Sequence, residues 1–168
     1  MKKILCVLAL MWPGTSYSSD LQSSLLGHWS GEGTVHLKPT SKSSKTNCKA
    51  TFDESGAYWL RAAVICKKGR RSDRVELRFS EPDHRGQLEM NILNSKGKPV
   101  VTFEGSVVGS EITLYHPETL SFSGESYRPV LKLDASETEM RLSQIGVPTR
   151  SSNSQYLMSD LFFRKLRQ

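Results

Sequence analysis

Cys48 and Cys66 stand 18 positions apart in a chain with four histidines, His28, His36, His84 and His116. A zinc site built on the two cysteines needs two further Cys or His ligands at short spacing, and no histidine supplies one. His28 and His36 share a strand face with Glu32, but positions i and i+8 on a strand lie roughly 27 Å apart, too far to meet at one ion. His84 sits in a Pro82-Asp83-His84-Arg85-Gly86 turn and His116 precedes Pro117, so both read as solvated turn residues and not as bases. No His-Glu-x-x-His, no Gly-x-Ser-x-Gly and no phosphate-cradling loop occurs. Gly27, Gly31 and Gly33 do not form a dinucleotide fingerprint, because more strand pattern follows them and not a helix. No catalytic residue, metal or cofactor is expected, and the chain reads as non-enzymatic.

The densest charge feature is Lys67-Lys68-Gly69-Arg70-Arg71, with Arg74 close behind. Such a run suits an anionic partner, for example a phosphate-bearing envelope lipid met at its surface or a polyanion. The aromatic residues that stack on single-stranded nucleic acid are missing from it, so no nucleic-acid partner is expected. The plainer alternative is a solvated hairpin loop following Cys66.

These residues belong to a chain of 168, long enough for one domain and thin for two. Met1 to Ser18 has the form of a secretory signal: Lys2 and Lys3, an apolar run from Ile4 to Trp12, a Pro13-Gly14 break, then small residues at Ser16 and Ser18. Two of the 23 basic residues leave with it, so the formal charge of +6 becomes +4. Cys6 leaves too, and Cys48 and Cys66 remain. In an oxidising compartment such a pair reads as a disulfide, and the protein is expected in the periplasm or outside the cell. Beyond the signal no apolar run is long enough for a transmembrane helix. The expected organisation is a signal over 1–18 and one domain over 19–168.

That domain reads as all-β. Short apolar-polar alternations recur, separated by Gly, Pro, Asn, Asp and Ser clusters. Val75-Leu77-Phe79, Leu88-Met90-Ile92, Val101-Phe103 and Ile112-Leu114 are the clearest; Leu131-Leu133, Met140-Leu142 and a long final strand from Tyr156 to Leu166 follow. The count of eight to ten strands without a long crossover predicts a single antiparallel up-and-down meander barrel. A membrane barrel fits poorly, since 8% aromatic residues are too few for two girdles and strands such as Arg74–Ser80 carry charge opposite their apolar face. Ser41–Asn47 and Val147–Gln155 read as polar, Ser-rich loops. The inward candidates, lining a lumen or filling a core, are Val75, Leu77, Phe79, Leu88, Met90, Val101, Phe103, Ile112 and Leu114.

The disulfide is harder to place. A hairpin turn over Phe52–Ala57 pairs Cys48 with a residue near Arg61 or Ala62, leaving Cys66 about two pairs too far along. A longer turn, a bulge or a loop position for Cys66 could repair this.

The first strand reads Gly27-His28-Trp29-Ser30-Gly31-Glu32-Gly33-Thr34-Val35. A Gly-x-Trp on the opening strand, with a basic residue on the closing strand of a meander barrel, resembles the lipocalin and calycin superfamily. The resemblance implies that Trp29 plugs the closed end and that Arg164 packs across it. Together with Cys48, Phe52 and Cys66, the Trp-x-Gly-x-Gly-x-Val order looks like a family of secreted bacterial calycin-like envelope proteins, which brings no established activity with it. The implied role is a barrel binding a small apolar or amphipathic ligand in its lumen. A second resemblance, to small periplasmic inhibitors of metalloproteases, implies an envelope-protein partner met through a projecting segment over 19–26. The alternative for that segment is a frayed leader or a short lid helix across the barrel end.

Overall fold

The computed structural model describes residues 17–36, 42–122, 125–149 and 155–167. A short helix, α1 (Tyr17–Leu25), precedes eleven strands: β1 (Gly27–Val35), β2 (Ser44–Ser55), β3 (Tyr58–Lys68), β4 (Arg71–Phe79), β5 (Gln87–Leu93), β6 (Pro99–Val108), β7 (Glu111–Tyr115), β8 (Leu120–Phe122), β9 (Glu125–Ala135), β10 (Glu139–Pro148) and β11 (Tyr156–Lys165). Residues 1–16 of the expected signal lie outside the described residues, and its last two positions, Tyr17 and Ser18, fall within α1.

Each strand pairs antiparallel with its neighbour, β9 pairs with β10, β10 with β11, and β11 returns to β1. The result is a closed ten-stranded antiparallel barrel, with β8 outside the circuit on the edge of β9. Closure depends on glycine at points of contact. A Cβ on Gly33 would strike the Asp160 carbonyl oxygen and come within 2.8 Å of Leu161 Cα; one on Gly105 would meet the Thr113 carbonyl oxygen and Leu114 Cα in the same way. Both glycines face inward, so the missing side chain lets the neighbouring backbone fold in and the sheet curl.

The barrel has one closed end. There α1 packs Leu21 and Leu25 into the interior at 3% and 0% exposure, above Trp29, Leu60, Phe79, Met140 and Phe163. The segment 19–26 is therefore a folded plug and not a projecting trunk, for a simple reason: two leucines four apart occupy one helix face and bury best against the barrel floor. Gly27, at φ +112°, turns the chain out of the helix into β1.

Two other expectations need correction. Ser41–Asn47 is not a loop throughout, because β2 begins at Ser44, where Lys45, Thr46 and Asn47 already pair with β1. Likewise Val147 and Pro148 end β10; positions 150–154 lie outside the described residues. Ser-rich composition is a weak loop signal where the ladder on both sides supplies every backbone partner.

The disulfide lies within the wall. Cys48 pairs directly with Cys66 across β2 and β3, with a Cα separation of 4.1 Å. β2 runs on to Ser55 and turns only at Gly56-Ala57, with a bulge between Asp53 and Ser55, and this longer hairpin absorbs the two-pair discrepancy.

Candidate functional site

Register decides which side chains share the interior. Trp29 stands opposite Lys165 and Ala50, and Gly31 opposite Phe163 and Cys48, so Lys165, Phe163, Leu161 and Ser159 all face inward from β11. Arg164 stands opposite Ser30 and points out, 79% exposed, with Glu139 at 3.9 Å. The basic residue across the tryptophan is therefore Lys165, not Arg164. Its ammonium lies 5.2 Å from the Trp29 ring centroid and donates to the Ser24 carbonyl at 2.8 Å. The Trp29 indole donates to the Leu25 carbonyl at 2.8 Å, so both final carbonyls of α1 are satisfied from the barrel. Gln22 ties the helix to the far wall through the Trp59 carbonyl at 2.6 Å.

From that floor the inward face opens progressively. On β4, Phe79 is 0% exposed, Leu77 6% and Val75 37%. The same gradient recurs from Leu133 to Leu131 on β9, from Met140 to Leu142 on β10, and from Phe103 to Val101 on β6, the second of each pair being half-buried. These side chains face the interior by register and are less buried than those nearer α1. Among the described residues the barrel thus has a packed floor at α1 and half-buried apolar walls toward its other end.

Of the nine inward candidates, Leu77, Phe79, Leu88, Met90, Phe103, Ile112 and Leu114 are packed into the floor and lower wall. Only Val75 and Val101 stay within reach of solvent. The upper wall also contains Val35, Ile92, Leu131 and Leu142, which are not among the nine candidates although strand parity in the sequence places them inward. Cys66 is half-buried and faces inward beside its partner, so the disulfide forms part of the same wall.

Few polar groups enter. Gln144 and Ser159 face each other across β10 and β11, half-buried, at the height where the apolar wall ends. Thr46 is buried and donates to the Lys67 carbonyl at 3.0 Å. Tyr127 and Tyr156 meet with their rings tilted by 58° and centroids 6.1 Å apart, and the Tyr156 hydroxyl donates to the His36 carbonyl at 3.1 Å. Burial pushes the Tyr156 phenol above its ordinary value. The His116 ring meets Phe103 edge-on at 5.2 Å. What such a lining can do is enclose an apolar body and orient one polar end near the rim.

The histidines are dispersed: His28 bonds Thr51, His36 sits by Tyr156, and His84 is exposed in its turn. Among the described residues no group of three or more His, Cys, Asp or Glu stands together as a metal site. No described helix is long and apolar enough to cross a membrane.

No protein-family model matches the chain, and no curated protein matches it in sequence. Its fold does have solved counterparts. Rv2717c from M. tuberculosis superposes with a TM-score of 0.61 at 14% identity, covering 89% of this chain and 98% of its own. The S-type phycobiliprotein lyase CPES from Guillardia theta superposes with a TM-score of 0.60 at 7% identity, covering 92% and 95% respectively. At these identities the likeness concerns architecture, and it agrees with the ladder: the chain shares with them a closed antiparallel barrel.

Proposed function

We propose that the protein is an exported, non-enzymatic carrier or sensor that holds a small apolar or amphipathic molecule in the open half of its barrel. The observation that supports this most is the exposure gradient on the inward faces, where Val75, Val101, Leu131 and Leu142 turn toward the interior yet are less buried than the floor. A barrel filled throughout would bury those positions as fully as Phe79 or Ile112. Likeness in fold to a phycobiliprotein lyase is compatible with a ligand-binding barrel and carries no ligand identity. The disulfide agrees with an oxidising compartment, and so with the signal read over 1–18. The alternative role, engaging an envelope protein through 19–26, loses its support once Leu21 and Leu25 are inside the barrel.

Two measurements test the reading. Native mass spectrometry of protein purified from its own compartment should show a population heavier than the bare chain. Titration with 1-anilinonaphthalene-8-sulfonate should give saturable fluorescence that is lost in Val101→Trp/Leu142→Trp, which fills that half of the barrel, while the thermal transition is kept. A bare mass together with no saturable signal in the wild type would sink the proposal.

A further inference from the structure

The barrel's two ends differ in charge, and this follows from topology. Connections alternate between the ends, so β2–β3, β4–β5, β6–β7 and β9–β10 turn at the α1 end while β3–β4 and β5–β6 turn at the open rim. The α1-end turns and their flanks carry Asp53, Glu54, Glu81, Asp83, Glu137 and Glu139 against Arg85, Arg164 and Arg167. The rim is mainly cationic, with Asp73 and Glu118 as exposed acidic residues among the cations. The β3–β4 hairpin folds Lys67, Lys68, Arg70 and Arg71 around Gly69, which takes φ +59° to make the tight turn. The β5–β6 turn adds Lys96 and Lys98, and the first turn of β9 adds Arg128. All seven are exposed, and none has an ion-pair partner among the described residues. Arg74, by contrast, is paired with Glu76 at 2.8 Å.

Apolar surface accompanies them. Of the nine exposed large hydrophobic residues, Val100, Tyr115, Leu120 and Leu157 are at the rim, 37% to 57% exposed. Unpaired cations on projecting hairpins, interspersed with exposed apolar side chains, are the composition that favours an interface between water and an anionic bilayer. A soluble polyanion would use the charges and have no need of Val100, Tyr115 or Leu157.

We propose that the open rim docks on an anionic phospholipid surface, setting the mouth of the barrel against the headgroups with the acidic α1 end facing away. The contact is peripheral and does not need the barrel to be occupied, so its test stands apart from the ligand titration. The experiment is flotation of the disulfide-bonded protein with vesicles of phosphatidylcholine containing phosphatidylglycerol, against phosphatidylcholine alone. At low ionic strength the protein should float with the first and not the second, and added salt should release it as screening shortens to about 8 Å at physiological strength. Each rim cation neutralised should weaken partition by about fivefold, so Lys68→Gln/Arg70→Gln should weaken it by about twentyfold or more. Arg85→Gln/Arg167→Gln removes the same charge at the α1 end and should change it by less than about twofold. Tyr115→Ser/Leu157→Ser should weaken partition without altering the thermal transition. Absence of flotation with phosphatidylglycerol, equal losses in the two charge-matched pairs, or binding to heparin that outlasts binding to vesicles and ignores Tyr115 and Leu157 would each overturn the proposal.

Discussion

Lys165 does two things at once: it donates to the last turn of α1 through Ser24 O and lies over the Trp29 ring. A charged hydrogen bond contributes about 1.5–3 kcal/mol and a cation–π contact about 0.5–1 kcal/mol, less what the half-buried ammonium gives up in hydration. Lys165→Met is therefore expected to lower unfolding stability by about 1–3 kcal/mol, and Arg164→Met by less than about 0.5 kcal/mol because that side chain is in solvent. Urea midpoints of the two variants make the comparison, and equal losses would contradict the assignment. The distinction was within reach of the sequence. Leu161 and Phe163 are apolar and Phe162 alternates with them, so parity alone puts Lys165 with Phe163; the family pattern pointed to the neighbouring residue because it counts basic residues and not strand faces.

The β2–β3 hairpin is the best instance of an element whose length, not type, was obscure. Asp53, Glu54, Ser55 and Gly56 all carry turn chemistry, yet the ladder to β3 runs on past the last β1 pair at Phe52, joining Asp53 to Arg61 and Ser55 to Tyr58 around a bulge at Glu54. Once the strand runs to Ser55, Cys48 and Cys66 face each other and close an 18-residue separation. In the chain-entropy description such a loop contributes about 3 kcal/mol. Cys48→Ala/Cys66→Ala should therefore shift the urea midpoint down by that amount, as should reduction of the wild type. An unchanged midpoint would mean that the wall is held by its ladder alone. α1 illustrates the opposite case: its Leu21 and Leu25 signal an apolar face, but nothing in nine residues says where that face will go.

Across the whole molecule, charge on the outer wall governs how stability responds to pH. A hydrogen bond from Arg141 holds the Asp160 carboxyl below its ordinary 3.8, with two contacts at 2.8 and 2.9 Å. Hydrogen bonding from Arg74 lowers Glu76 below 4.5, with Arg61 adding to it, and the Thr113 hydroxyl lowers Glu111 likewise. Carboxylates whose folded values are depressed stabilise the protein above their unfolded values, and that contribution is lost as pH falls through the folded ones. Stability should thus be flat near neutrality and decline from about pH 4.5 downward. These pairs lie at the surface, so each contributes no more than about 1 kcal/mol. Urea midpoints at neutral pH and at successively lower values should trace the decline, and Arg141→Gln should remove part of it; a midpoint rising on acidification would contradict the sign.

Period-2 alternation, turn residues at short intervals and a cysteine pair were local properties, and from them the sequence by itself determined an antiparallel meander of about ten strands in a single domain with one disulfide. Those properties are local because strand faces alternate with every residue and turns depend on two to five positions. Closure into a barrel was expected from the meander, but the depth of each inward residue was decided only in three dimensions. Seven of the nine inward candidates are buried because α1 and Trp29 fill one end, whereas Leu131, Leu142, Gln144 and Ser159 lie farther from that plug and are half-buried. Inwardness can be read along a strand; depth along the barrel axis depends on which strand ends meet, and residues far apart in sequence settle that together.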